Sequence, residues 1–290
     1  MIYETCVPRR PALRQYIELF WYIAQSGEEA KGANPKMIPD GGYHMVFNLG
    51  APHVYEDGNG RRTTPKISHI NANQANYATI RRSGDVEIVG VVFRPYGLHP
   101  FVKAPIGEVA GAVRNMEDLV GSRIHELEER LSEAADVRMK FAELEKCLTA
   151  WLGEPDPMRP DVRKAVELMI EHRGALAIGD VRESVNLGER SFERLFKTYA
   201  GVSPKRFSDI RRIHGVLENM RCRSDGWVDR ALRAGFYDQP HFNRTFRRMV
   251  GATPTEYMKT RNLLSDLYNM DIDQPVIIGK ETDDQRRVRS

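Results

Sequence analysis

GFYDQPHFNRTFRRMVGATPTEY, residues 235–257, decides the reading of the C-terminal third of this chain, because an earlier stretch repeats it: NLGERSFERLFKTYAGVSPKRF, residues 186–207. Phe192, Arg194, Phe196, Gly201 and Pro204 recur as Phe242, Arg244, Phe246, Gly251 and Pro254, a constant offset of 50 residues. Each copy opens on a residue suited to a tight turn, Asn186 or Gly235, and continues into a polar helix start. Two Phe four residues apart share one helix face, so Phe192, Leu195 and Phe196, and then Phe242, Phe246 and Met249, are expected to bury. Each copy closes on Gly-x-Ser/Thr-Pro, a helix stop followed by a new start. This is the pattern of a helix-turn-helix, stated twice. Two in tandem let one chain read successive major grooves of duplex DNA.

The flanking residues complete both units. DVRKAVELMIEHRG supplies a support helix with Val162, Ala165, Val166, Met169 and Ile170 inside. A short helix over 178–185, a turn at Asn186 and a recognition helix over 189–199 follow. That helix leaves Arg190, Glu193, Arg194 and Lys197 outward. In the second unit Val228, Ala231 and Leu232 anchor the short helix and Gly235 makes the turn. Asp238 caps a helix running to Val250, with Gln239, His241, Asn243, Arg244 and Arg247 outward. Ser203 caps the helix between the units. Phe207, Ile210, Ile213, His214, Leu217 and Met220 form its inner stripe, and about 20 residues give it roughly 30 Å. That is close to the ~34 Å repeat of B-DNA.

Arg can bond guanine bidentately, and Asn or Gln can do the same to adenine. Arg194 and Arg244, equivalent in the repeat, are the foremost base-contact candidates. Lys197, Arg247 and Arg248 suit phosphates. The competing reading is a solvated basic face, which a single helix would favour and the repeat disfavours. The charge is placed accordingly. Net charge is +3, yet residues 161–262 hold 20 Lys and Arg against 13 Asp and Glu, and the regions before and after are slightly acidic. A basic excess confined to one segment is what counterion release from DNA requires.

Ahead of this segment the pattern is different. Residues 1 to about 110 read mostly as strands: Tyr43–Leu49 after the Pro-Asp-Gly-Gly turn, KISHINANQ, and Val86–Phe93, apolar enough to bury on both faces. A helix is expected at Pro11–Ile23, with Leu13, Ile17, Phe20 and Trp21 on one side. From 116 to 152 an apolar stripe near helical period (Ile124, Leu127, Leu131, Ala134, Phe141, Leu144, Leu148, Trp151) indicates one or two helices, broken near Ala134–Asp136. The stripe either packs on its own domain or forms a homodimer seam. GEPDPMRP, residues 153–160, cannot continue a helix and is expected to be a linker. The expected division is a β-rich domain with helices over 1–152, a helical domain over 161–262 and a polar tail over 263–290, α+β in all.

AGFYDQPHFNRTFRRMVGATPTEYM resembles the signature of the AraC/XylS family of bacterial transcription regulators, with Ala231, Gly235, Phe236, Phe242, Phe246, Gly251, Pro254 and Tyr257 at the family's positions. The resemblance covers about residues 161–260. It implies double-stranded promoter DNA as partner, work alongside RNA polymerase, usually as an activator, and often a small-molecule effector sensed by the other domain. The family's base-reading positions fall on Arg190, Glu193 and Arg194 in the first unit, and on Gln239, His241, Asn243 and Arg244 in the second. Arg182 and Arg230 depart from the small or aliphatic residues usual in the short helices, and Glu193 places a carboxylate toward DNA. PDGGYHMVFNLG and VGVVFRPYGLHPF resemble an AraC-type sensor domain, which implies a cupin-like β-barrel.

For an effector, Arg94, Tyr96 and His44 are the candidates. Arg94 leaves a buried strand and can clamp a carboxylate or phosphate. The rival reading is a structural ion pair with Asp40 or Glu87. Asp40 is read as a turn former. His44, His53, His69 and His99 lack metal-ligand spacing and are read as ordinary core or loop residues, so no metal and no cofactor are expected. Three scattered cysteines, the absence of a secretory-signal pattern and the absence of an 18-residue apolar run point to the cytoplasm and away from a membrane. No catalytic residue is assigned. An alternative from another class, a regulator fused to thiol-based alkyl transfer, would need a nucleophilic cysteine such as Cys6. A regulator without a ligand, whose first domain only dimerises, is a third reading.

Overall fold

The computed structural model describes residues 1–26, 34–72, 76–102, 105–111, 113–152, 159–222, 235, 236 and 238–260. The N-terminal half begins with β1 (Ile2–Cys6), α1 (Pro11–Arg14), β2 (Ile17–Gln25) and β3 (Lys36–Met37). Strands β4 (Tyr43–Asn48), β5 (His53–Asp57), β6 (Arg62–Thr63), β7 (Ser68–Asn71), β8 (Ala78–Arg82) and β9 (Val86–Phe93) follow. A 3-10 turn (His99–Phe101), α2 (Ile106–Val109), β10 (Val113–Asn115), α3 (Met116–Val120), α4 (Arg123–Glu133) and α5 (Val137–Trp151) complete it. The strands make a larger sheet in the order β1-β2-β9-β4-β7-β10 and a smaller one in the order β3-β8-β5-β6, antiparallel throughout. The sheets face each other: the Tyr55 hydroxyl, from the smaller, meets His69 Nε2, from the larger, at 2.9 Å.

β9 is central, paired on both sides, and nearly every residue in it is buried, as its unbroken apolar run predicts. One face of the larger sheet packs under α4 and α5, whose Ile124, Leu127, Leu131, Phe141, Leu144 and Leu148 share a core with Ile17, Phe20, Met45 and Val91. The helical stripe therefore packs on its own domain. The break falls where expected, with Ala134 extended and the Asp136 carboxylate accepting from the Met139 N–H at 2.9 Å.

The expected helix at Pro11–Ile23 is not found. It stops at Arg14, and Ile17–Gln25 is a strand between β1 and β9. Ile17, Phe20 and Trp21 look like a helix face because a bulge between Ile17 and Leu19 breaks the alternation of two. Ile17 and Phe20 thereby reach one core, while Trp21 joins Ile23 in the cluster on the opposite face.

The described residues from 159 onward are mostly helical: α6 (Pro160–Glu171), α7 (Ile178–Ser184), α8 (Glu189–Ala200), α9 (Pro204–Cys222), α10 (Gln239–Val250) and α11 (Pro254–Thr260). Asn186 takes the left-handed conformation (φ 55°) its turn requires. The expected linker lies largely at 153–158, outside the described residues, as do Val228, Arg230, Ala231, Leu232 and the tail beyond 260.

Candidate nucleic-acid interface

Two phenylalanine-anchored cores set two helices in the same way. In the first unit Phe192 and Phe196 meet at 5.7 Å, Phe196 meets Phe207 at 5.6 Å, and Val162, Val166, Met169 and Val181 surround them. In the second, Phe242 and Phe246 meet at 5.6 Å, with Phe236, Met249 and Tyr257 around them. Burying these rings fixes the rotation of each helix about its own axis, and that fixes what faces out.

On α8 the outward residues are Arg190, Glu193, Arg194 and Lys197, all exposed. On α10 they are Gln239, Asn243, Arg244, Arg247 and Arg248. Gln239, Asn243, Arg244 and Arg247 converge on one open hollow of about 490 Å³ closed below by Thr253, Pro254 and Thr255. Two groups depart from the sequence reading. His241 is half-buried and its ring packs edge-on against Phe236 at 5.5 Å. Arg248 turns toward Asp209 on α9, Nη2 to Oδ2 at 3.8 Å. Beside it, burial and then the charge of Arg248 bring the Arg206 guanidinium down to about 10.

The helix starts differ. Asp238 caps α10 by accepting from the His241 N–H at 2.6 Å, whereas the cap of α8 is Gly188, with no side-chain bond. Both helices end on a left-handed glycine, Gly201 or Gly251. Ser203 caps α9, its hydroxyl accepting from the Arg206 N–H at 3.2 Å. Phe207, Ile210, Ile213, His214 and Leu217 are buried along α9, as the stripe requires.

Residues 182–260 match the family model described as a helix-turn-helix domain. The virulence regulon transcriptional activator VirF of Yersinia enterocolitica is 36% identical over 78 residues, 26% of this chain and 28% of that protein. The HTH-type transcriptional regulator ArgR of Pseudomonas aeruginosa is 28% identical over 149 residues, 51% of this chain and 40% of that protein. The chain thus spans less than half the length of these curated relatives. The solved structure of a transcriptional regulator from Chromobacterium violaceum, of the AraC-type DNA-binding domain-containing proteins, is 30% identical, with a TM-score of 0.33 over 36% of this chain and 94% of that one. Residues 182–260 are thus a helix-turn-helix domain. Residues 5–114 match a second family model, described as a domain of unknown function.

The helical domain does not stand apart from the sheets. Tyr96, from the loop after β9, lies in the core of the first unit, and its hydroxyl donates to Glu167 on α6 at 3.1 Å. Burial, then Glu167, pushes that phenol up to about 12. Arg94 forms an ion pair, with Glu18 at 2.9 Å rather than with Asp40 or Glu87, and its Nε donates to the Arg14 carbonyl. Strand β2, which replaces the expected helix, is what brings Glu18 there. Arg94 and Tyr96 line a cleft of about 330 Å³ with Glu18, Glu167, Glu171 and Arg211. His44 lies elsewhere, with Nε2 2.6 Å from Asp40 Oδ2. The pair is buried. Asp40 is held below the usual carboxylate range by His44 and His214 despite its burial, and its carboxylate raises His44 against the same burial. Asp40 also forms the expected turn, accepting from the Gly42 N–H at 2.9 Å.

His53 and His69 sit between the sheets, not in the cleft, with their rings 5.5 Å apart. Burial brings them down to about 4 and about 3, so both are neutral at pH 7. Arg182, unusual for its short helix, pairs with Glu183 at 3.3 Å. Burial raises the Cys147 thiol, opposite to what a nucleophilic thiolate needs, and Cys6 Sγ donates to the adjacent Val7 carbonyl. Among the described residues no group of three His, Cys, Asp or Glu is placed to hold a metal, and no helix is long and apolar enough to cross a membrane. Lys36, Ile38 and Tyr77, which touch the second unit, carry no pattern in the sequence.

Proposed function

We propose that the chain is a sequence-specific double-stranded DNA-binding transcription regulator, an activator that answers to a small molecule and works in the cytoplasm. The observation that carries this is the pairing of two AraC-type recognition helices, each anchored by equivalent phenylalanines and each presenting an exposed Arg at the equivalent place, Arg194 and Arg244. Base contacts are assigned to Arg190, Glu193 and Arg194 on α8 and to Gln239, His241, Asn243 and Arg244 on α10; His241 reaches DNA only along the exposed edge of its ring. Lys197, Arg247 and Arg248 are assigned to phosphates, Arg248 exchanging Asp209 for DNA. Promoter DNA and RNA polymerase are the partners, with a homodimer formed through the N-terminal half. The reading assigns no catalytic reaction.

We assign the effector site to the cleft at Arg94 and Tyr96, where a small ligand would touch the sheets and α6 together; His44 lies outside it and bears on it only through the Asp40 turn, whose carbonyl accepts from Arg211 of the cleft. Selection of bound sequences from random duplexes tests the DNA reading: one recurrent motif with two half-sites is expected, weakened by Arg194→Ala in one half and by Arg244→Ala in the other. Recovery of no motif, or a motif indifferent to both substitutions, overturns it. A thermal-shift screen of the full chain against metabolites, repeated with Tyr96→Phe, tests the cleft.

A further inference from the structure

Each helix-turn-helix core takes in one side chain from the N-terminal half: Tyr96 in the first unit, Ile38 in the second. The ends of the recognition helices show the same correspondence. Gly201 (φ 74°) and Gly251 (φ 70°) have no side chain to fill the space beside the cap, and a tyrosine from the N-terminal half fills it in both places. A Cβ on Gly201 would stand 1.9 Å from the Tyr43 hydroxyl oxygen, and one on Gly251 would stand 2.3 Å from Tyr77 Cζ. Each end is also bonded. The Tyr43 hydroxyl donates to the Ala200 carbonyl at 2.8 Å. The Lys36 ammonium donates to the Gly251 carbonyl at 3.2 Å and lies 5.0 Å over the Tyr77 ring. Carbonyls at a helix C-terminus lack partners within the helix and carry the negative end of its dipole, so a hydroxyl and an ammonium suit them.

Between the two caps, the strap Lys36–Tyr43 follows the spacer helix α9. Ile38 packs with Ile210 and Ile213. His214 Nε2 donates to the Pro39 carbonyl at 2.7 Å, and Arg211 Nη1 donates to the Asp40 carbonyl at 3.4 Å. Gly41 (φ 90°) lies flat on Phe207, where a Cβ would come within 2.6 Å of the ring. One continuous segment thus runs from the cap of α10 to the cap of α8.

We propose that Lys36–Tyr43 and Tyr77 form a clasp by which the N-terminal half grips both units at equivalent points and holds the recognition helices in one mutual orientation. Opening the clasp frees the second helix from the first. Its consequence for DNA, a fixed spacing between half-sites, rests on the DNA-binding reading; the clasp itself does not.

The test uses the full chain with Cys6, Cys147 and Cys222 replaced by Ala and spin labels at Glu193 and Asn243. Pulsed EPR is expected to give one narrow distance distribution. The double variant Lys36→Met with Tyr77→Ala should roughly double its width and speed exchange of the Gly251 amide about tenfold, while amides of β4 and β9 hold. A broad distribution in the unsubstituted chain overturns the clasp, as does a variant unchanged in both readouts. If β4 and β9 also exchange faster, Tyr43→Phe decides: losing that one hydroxyl should speed exchange of the Gly201 amide, and no change there overturns the proposal. Duplexes with the two half-sites moved apart separate the readings. A broadened distribution, with no DNA binding by the unlabelled chain whether or not it carries the clasp substitutions, sinks the regulator and leaves the clasp standing.

Discussion

In the first helix-turn-helix unit the N-terminal half reaches along the recognition helix: Gly107 on α2 lies against Lys197, with a Cβ there 3.7 Å from its carbonyl oxygen, and His99 meets Tyr199 at 5.0 Å. In the second unit, among the described residues, the N-terminal half meets the cap through Lys36 and Tyr77 and the core through Ile38, and the outward residues of α10 border an open hollow. The two are built on the same repeat, and their paired phenylalanines meet at 5.7 Å and 5.6 Å. The difference teaches that a repeat specifies how a unit holds itself together, while the neighbours decide how free its working face is.

The largest effects test whether the cores are equivalent. Phe196→Ala and Phe246→Ala should each cost about 3–5 kcal/mol in denaturant unfolding, through lost burial and the cavity left behind. A cost for Phe246→Ala far below that of Phe196→Ala would break the equivalence and show the second unit unfolding by itself.

Acid tests how far each unit depends on the sheets. His53 and His69 are buried and neutral. His69 Nδ1 donates to the Lys66 carbonyl and its Nε2 accepts from Tyr55, an arrangement that protonation destroys. Their depressed values mean that the unfolded chain takes up more protons between pH 6.5 and about 4 for His53, and between 6.5 and about 3 for His69. The stability they contribute is therefore full above pH 6.5 and lost as pH falls through that window. Amide exchange at pH 7 and pH 5 should show β5 and β7 loosening first, and α8 following more closely than α10. Equal protection of the sheets at both pH values would remove the dependence.

DNA binding sharpens the comparison at the working faces. Arg244→Ala should cost about 1–3 kcal/mol of discrimination at one base pair. Arg194→Ala should cost the same on the paired half-site only if the N-terminal half leaves the start of α8 open. Competition binding with single-base variants measures both.

The smallest effects lie at the helix starts. Asp238→Ala removes a cap bond worth about 1 kcal/mol. Gly188→Asp should add a few tenths of a kcal/mol, since Gly188 is extended and a Cβ there meets nothing within 4 Å. Thermal melts of the two variants read both. A stabilisation by Gly188→Asp as large as the loss at Asp238 would mean that the start of α8 is frayed, a further asymmetry between the units.

Much of this was written in short-range chemistry. The turn at Asn186, the Asp238 and Ser203 caps, the break at Ala134–Asp136 and the buried faces of α8, α9 and α10 follow from side chains acting within a few residues of themselves, and spacing alone reveals them. The strand at Ile17–Gln25 was misread because a bulge gives a strand the same spacing as a helix, and only pairing with β1 and β9 distinguishes the two. Arg94 was legible as an ion-pair former but not its partner, because Glu18 is placed by that same strand. The clasp was least legible of all. Lys36, Tyr43 and Tyr77 sit far in sequence from Gly201 and Gly251, and nothing local marks a tyrosine that will rest on a glycine more than 150 residues away. What the amino-acid order determined unaided is the repeated, outward-facing basic helix, since helical period and glycine caps are properties of neighbouring residues. What tertiary structure decided is which end of each helix is gripped and which is free, since that depends on close approach between backbones that only the folded sheets bring together.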